Sequence, residues 1–279
     1  MNYKSFLLFI IFIFLCINIS AQIAIDSTMH IEFGASFEQK SLAPDQSDRE
    51  YGLNREYGGE IYLVENPSKN STNNSDYVMK VATKKSSSGG FCRAEYFTEW
   101  SAAGRFETKN KRHIYQWMVY FPDDYLVDID KINGSWHIIS QFVTHPCAEY
   151  SSAYPYFRDS ICGTGGIFNE ISINRDDFSK YNFEYRAYPD CNELEYTFTR
   201  GQWTKFTYEI LWTTGFNGYY RAWANEKLIG EAYNVRTLPG GWIEGECNII
   251  WKVGLYDNWY DSEIDVVYYY LDNLKVYVD

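Results

Sequence analysis

The sequence predicts an all-β sandwich of antiparallel sheets. Three observations lead there: no long run of helical periodicity, many short alternating segments rich in aromatic and β-branched residues, and turn signals spaced between them. The segments are EIYLVEN, DYVMKVAT, FCRAEYF, HIYQWMVYFP, WHIISQFVT, GIFNEISIN, NFEYRAY, WTKFTYEILW, GYYRAWANEKLIG, IIWKVGLYD and VVYYYLDNLKVYV. In GYYRAWANEKLIG, Asn225 and Glu226 fit a hairpin turn. In WKVGLYDNW, residues 251–259, a strand puts Trp251, Val253 and Leu255 on a core face. Lys252, Gly254 and Tyr256 then share the other face.

The opening MNYKSFLLFIIFIFLCINISAQ carries one Lys, an apolar run short for a bilayer span, and small residues at Ser20 and Ala21. It reads as a secretory signal peptide over residues 1–22. Cys16 does not make it a lipoprotein leader, because Leu15 stands where a small residue is needed. Residues 23–279 show no composition shift or internal repeat, which predicts a single domain. The leader predicts secretion, no other apolar run is long enough for a membrane span, and a monomer is expected. The formal charge of −12 becomes more negative when Lys4 leaves with the leader. Such an acidic surface argues against nucleic acid and anionic membranes as partners, though a local cluster of cations can still hold an anionic substrate.

Aromatic residues make up 19% of the chain, with 26 Tyr and 9 Trp. Two readings stay open: sheet packing, or sugar faces stacked on exposed rings. Five cysteines follow the leader, so export permits disulfides and leaves one thiol over. Pairing Cys147 with Cys162 would restrain the loop between them by roughly 3 kcal/mol. Cys92, inside a strand, is the candidate buried free thiol.

Three segments carry large polar groups in strand register. Arg93 and Glu95 share a face in FCRAEYF; His137, Gln141 and His145 share one in WHIISQFVTH; Lys252 and Tyr256 share one in WKVGLYD. Spacing alone supports a saccharide-binding sandwich. Beyond spacing, RAEY resembles the Arg-Ser-Glu-Leu strand of the jelly-roll polysaccharide lyases, the group of alginate, glucuronan, heparin I-type and ulvan lyases. SQFVTH resembles their Gln-Ile-His strand, and WKVGLYDN their Lys-Ala-Gly-Val-Tyr-Asn strand. The likeness extends over roughly residues 78–279, with YQWMVYFPDDY, RGQWTKFTYEILW and GYYRAWANEKLIG as scaffold.

That resemblance implies a concanavalin-like β-jelly roll of two antiparallel sheets, with one concave face as the substrate groove. It implies β-elimination next to a uronic acid: the C5 proton is removed and the C4-linked oxygen expelled. It assigns Arg93 and Gln141 to the uronate carboxylate and Tyr256 to proton transfer, with Lys252, Glu95, His137 and Asn258 binding substrate. The chemistry agrees, since fixed donors must stabilise the developing charge, Arg grips a carboxylate bidentately, and Gln donates without adding charge. A Tyr of pKa about 10 needs roughly 4 kcal/mol of phenolate stabilisation to act as a base at pH about 7. Arg93 is the expected helper, and Gly254 is expected to leave room for a sugar ring. The motif's His position is Val143 here. Either His145 or His137 replaces it as base, or Tyr256 serves as both base and acid.

No cofactor is required for such chemistry. Glu32 and Asp272 are candidates for a structural Ca²⁺ where terminal strands meet. A glycoside hydrolase would need paired carboxylates, and EIDVVY places Tyr268 where the last of them belongs. A non-catalytic carbohydrate-binding module would share the fold and the aromatics without needing Arg93, Gln141 and Tyr256 together. The implied partner is an anionic uronate polymer. Lys252 and Arg158 would suit a sulfated one such as ulvan.

Overall fold

A computed structural model of the protein describes residues 25, 28–47, 50–56, 58–84, 91–99, 109–125, 132–133, 137–145, 167–173, 180–186, 191–238, 248–258, 261–262 and 266–279. These form β1 (His30–Ala35), β2 (Gln46–Ser47), β3 (Glu50–Glu56), β4 (Gly59–Glu65), β5 (Tyr77–Lys84) and β6 (Phe91–Glu99). Next come β7 (Arg112–Tyr120), β8 (Ile132–Asn133), β9 (His137–His145), β10 (Ile167–Ile173), β11 (Lys180–Arg186) and β12 (Cys191–Thr197). The remaining strands are β13 (Trp203–Leu211), β14 (Gly218–Ala224), β15 (Lys227–Val235), β16 (Asn248–Asn258), β17 (Asp261–Ser262) and β18 (Val266–Val278). Among the described residues no helix is long and apolar enough to cross a membrane.

Two antiparallel sheets make the jelly roll that the sequence predicts. One has the order β12-β11-β10-β9-β16-β6-β3 and will be called the site sheet. The other runs β15-β14-β13-β7-β18-β1-β2, with β5 also on β18 and β4 on β5. The β14–β15 hairpin turns at Asn225 and Glu226, whose φ values of 47° and 67° are those of a tight primed turn. β1, β3 and β12 were not among the segments recognised in the sequence. In β3 the signal was there, because Tyr51 and Leu53 alternate with polar neighbours and pack against the core.

The core lies between the sheets and consumes much of the aromatic content. Trp117, Trp212, Trp251, Tyr96 and Tyr115 are among the largest fully buried side chains of this core. Trp251 of β16 meets Tyr115 and Trp117 of β7 at ring-centroid distances of 5.4 and 5.5 Å. Phe142 of β9 meets Tyr115 at 4.7 Å. Each such ring removes about 150–250 Å² from water, worth about 4–6 kcal/mol before conformational entropy. For these residues the packing reading of the composition holds.

Several one-residue irregularities interrupt the strand period, and three of them bear on the site residues. In β18 the buried positions are odd through Leu271 and even from Leu274. The phase changes at Asp272–Asn273, where Asn273 has φ 51° and the pairing with β7 slips. In β9, Ile139 joins Phe142 in the core cluster while the pairing to β10 slips beside it. In β16 the pairing to β9 slips between Val253 and Tyr256, whereas the pairing to β6 stays regular. This last bulge centres on Gly254, which has φ +143°.

Candidate active site

The outer face of the site sheet is built from alternation in β6 and β16. Cys92, Ala94 and Tyr96 turn into the core, which sends Arg93, Glu95 and Phe97 outward. Trp251, Val253 and Leu255 do the same for Lys252, Gly254 and Tyr256. The register then makes pairs of them: Tyr256 with Arg93, Gly254 with Glu95, Lys252 with Phe97. On the other edge of β16, Gln141 of β9 stands opposite Lys252.

The Arg93 guanidinium carbon lies 4.0 Å from the centre of the Tyr256 ring. Its Nε is 3.8 Å from Glu56 Oε2, which faces it from β3. Burial works against the Arg93 charge, but its hydrogen bond to Tyr256 and the nearby Glu95 and Glu56 raise its pKa overall. Glu95 is the most enclosed member, 2% exposed. Gln141 Nε2 donates to its Oε1, and Lys252 Nζ is 3.7 Å from its Oε2. Burial raises the Glu95 pKa, while Lys252, the Gln141 hydrogen bond and Arg93 oppose that rise. Lys252 also lies 5.7 Å from the Phe97 ring. Glu56 and Phe97 were not anticipated from sequence.

Gly254 has a backbone reason beyond the one expected. A Cβ there would meet the Ala94 carbonyl oxygen at 2.1 Å and the Glu95 Cα at 2.6 Å. Close strand approach and a φ of +143°, far outside the range the non-glycine residues here adopt, account for it without any sugar.

Other expectations need correction. His137 does not share the face of Gln141, because the bulge puts Ile138 opposite Tyr256 and His137 opposite Asp257. His137 thus falls in the row of Cys92, on the core side, and is fully buried. His145 pairs with Asn248, eight residues along β16 from Tyr256, or about 26 Å. The two cannot address one C4–C5 bond from there. The side chains of His145 and Asn258 lie outside the described residues, as do those of Cys147 and Cys162. Cys92 is a buried thiol outside any disulfide, as predicted, with Sγ 3.2 Å from the Lys84 carbonyl oxygen.

Glu32 and Asp272 do not make a cation site. Ile31 pairs with Tyr277 and Phe33 with Val276, so Glu32 sits at least four residues along β18 from Asp272, about 13 Å; its side chain lies outside the described residues. Asp272 instead receives donors: Asn73 Nδ2 at 2.8 Å, Asn273 N at 2.7 Å and Asn273 Nδ2 at 3.1 Å. The Asn73 side-chain oxygen Oδ1 accepts from Ser75 N. A carboxylate ringed by N–H groups closes a β-bulge rather than holding Ca²⁺. Among the described residues no three His, Cys, Asp or Glu side chains cluster for a metal.

A jelly roll that lines one sheet face with paired cations, a buried carboxylate and a phenol is a carbohydrate-active sandwich in class. The family model described as Polysaccharide lyase matches residues 51–275, and the chain belongs to that family; it is a polysaccharide lyase. Among solved structures it is similar to an endo-β-1,4-glucuronan lyase from the fungus Trichoderma reesei, with TM-score 0.57 and 17% identity over 81% of this chain and 89% of that one. An endo-1,3-β-glucanase from Streptomyces sioyaensis gives 0.51 and 10% over 91% and 98%. Alginate lyase A1-II′, of polysaccharide lyase family 7, gives 0.45 and 11% over 81% and 84%. No curated protein matches the chain.

Proposed function

We propose that the protein is a secreted lyase that cleaves a uronate-containing polysaccharide, glucuronan-like or ulvan-like, by β-elimination. The observation that carries this reading is the stacked Arg93–Tyr256 pair on the outer face of the site sheet, one row from the Glu95–Gln141–Lys252 cluster. The uronate carboxylate lies over Gly254, held by Arg93, Lys252 and Gln141, which stabilise the charge delocalised from C5. Tyr256 acts alone. As phenolate beside the Arg93 cation it takes the C5 proton; the C4–O bond breaks, C4 and C5 become doubly bonded, and the phenol returns the proton to the leaving oxygen. Proton and leaving group therefore depart from one side of the ring. Lys252, four residues from Tyr256 along the same face, about 13 Å, contacts the acidic or sulfate group of the next sugar as well. The leader at residues 1–22 supports export, and the protein acts as a monomer without a catalytic metal.

The test is a panel of glucuronan, ulvan, alginate and heparin-like chains, followed by ultraviolet absorbance of the conjugated double bond. Rising absorbance with falling chain length is expected for glucuronan or ulvan. Chain scission without absorbance, or no scission at all, overturns the reading. Export is checked by sequencing the N-terminus of protein recovered outside the cell, which should begin near Gln22.

A further inference from the structure

Glu95 is a buried carboxylate in the middle of the site, and the elimination itself gives it no task. It stands opposite Gly254, between the rows of Tyr256 and Lys252. Arg93 flanks it on its own strand. Lys252 faces it from β16 at 3.7 Å, and Gln141 donates to it from β9. Further out, Tyr256 stacks on Arg93 from β16, and Glu56 faces Arg93 from β3.

These three donors are the ones an incoming uronate would use. An ionised Glu95 competes with the substrate for Gln141 and Lys252, draws on the Arg93 charge from two residues away, and presents a like charge beside the uronate. Two carboxylates that share one site disfavour each other's ionisation, which favours one of them holding a proton. Glu95 is the one already inclined to do so, since burial raises its pKa despite Lys252, Gln141 and Arg93.

Resting on the lyase reading above, we infer that Glu95 is a positioning residue that takes up one proton from solvent as an anionic sugar binds over it. The neutral carboxyl then donates its O–H to Gln141 Oε1. The amide turns end for end, Nε2 faces the sugar carboxylate, and Lys252 is released to the substrate. The proton returns to solvent when the product leaves, so the cycle is balanced.

The experiment uses Tyr256→Phe protein, which binds without turnover, titrated calorimetrically with a glucuronan tetrasaccharide in two buffers of different ionisation enthalpy at one neutral pH. Net uptake approaching one proton per site is expected, and none when Glu95→Gln is added, because that amide donates to Gln141 Oε1 at every pH. In the wild-type enzyme KM should rise about tenfold per pH unit above the Glu95 titration, kcat should not follow it, and Glu95→Gln should flatten the KM profile. Binding without uptake, uptake that survives Glu95→Gln, or no binding overturns the inference. Should Glu95→Gln fail to fold, the uptake measured in Tyr256→Phe alone decides. Cleavage by the wild type with no uptake defeats the proton linkage alone, whereas no cleavage of any uronate polymer defeats the lyase reading.

Discussion

Replacing Gly254 by Ala tests how the strand carrying Tyr256 is held. The residue has φ +143°, a conformation that costs an L side chain about 1–3 kcal/mol. Its new Cβ would stand 2.1 Å from the Ala94 carbonyl oxygen. Neither partner is the end of a flexible side chain, so backbone must move, at about 1–3 kcal/mol for such overpacking. Together these give a destabilisation of about 2–6 kcal/mol, a large part of the about 5–15 kcal/mol that holds a domain folded. Urea unfolding followed by Trp fluorescence should show the midpoint falling by roughly 1–2 M, for a slope near the upper end of about 1–3 kcal/mol/M. Because β6 carries Arg93 and β16 carries Tyr256 as a direct pair, a shift of about 1 Å between them should also cost about 10²-fold in turnover. A Gly254→Ala protein with an unmoved midpoint and full activity would refute the account of the bulge.

Tyr256→Phe should lower kcat by at least about 10²–10⁴-fold with the unfolding midpoint kept, while His145→Ala stays within about tenfold of wild type; equal losses would restore His145 as the base. Lys252→Ala should raise KM and also lower kcat in steady-state assays on polymer, since it removes a cation that holds both the reacting uronate's carboxylate and the next sugar's acidic group. Asp272 makes a prediction about stability. Burial pushes its pKa from 3.8 up to about 6, so the folded state binds its proton more tightly than the unfolded chain. Its contribution is complete below about pH 4 and is lost as pH rises through about 6, by about 3 kcal/mol in all at about 1.4 per unit. The stability difference between wild type and Asp272→Asn, measured by denaturation from acid to neutral pH, should move against the wild type by that amount. A pH-independent difference would show that Asp272 does not titrate as stated.

The face that carries the site was legible because strand alternation is a local property. Trp251, Val253 and Leu255 announce a core face, and the residues between them then have nowhere to go but outward. The same logic paired Arg93 with Glu95. It failed at the bulges, because one inserted residue reverses every assignment beyond it, and no composition signal in HIISQ or YLDNL marks the insertion. That is why His137 was placed on the wrong face. The aromatic content was ambiguous for another reason. Burial, which separates a packed Trp from a sugar platform, is set by the facing sheet and not by the residue itself. The register between β9 and β16, which parts His145 from Tyr256, is likewise a pairing between distant segments and cannot be read from either alone.

The way β18 is bordered has a consequence for how the molecule reaches this state. One edge of β18 is shared between β5 and β1, from early in the chain, while β7 runs along the other. Three strands made early must therefore wait for one made much later before the second sheet can close. Their unsatisfied edges stay open through synthesis, and loop closure over most of the chain precedes any reward from pairing. Folding should accordingly be late and slow, set by the arrival and docking of one strand rather than by growth of local hairpins. Withholding β18 should therefore leave the second sheet open at β1, β5 and β7.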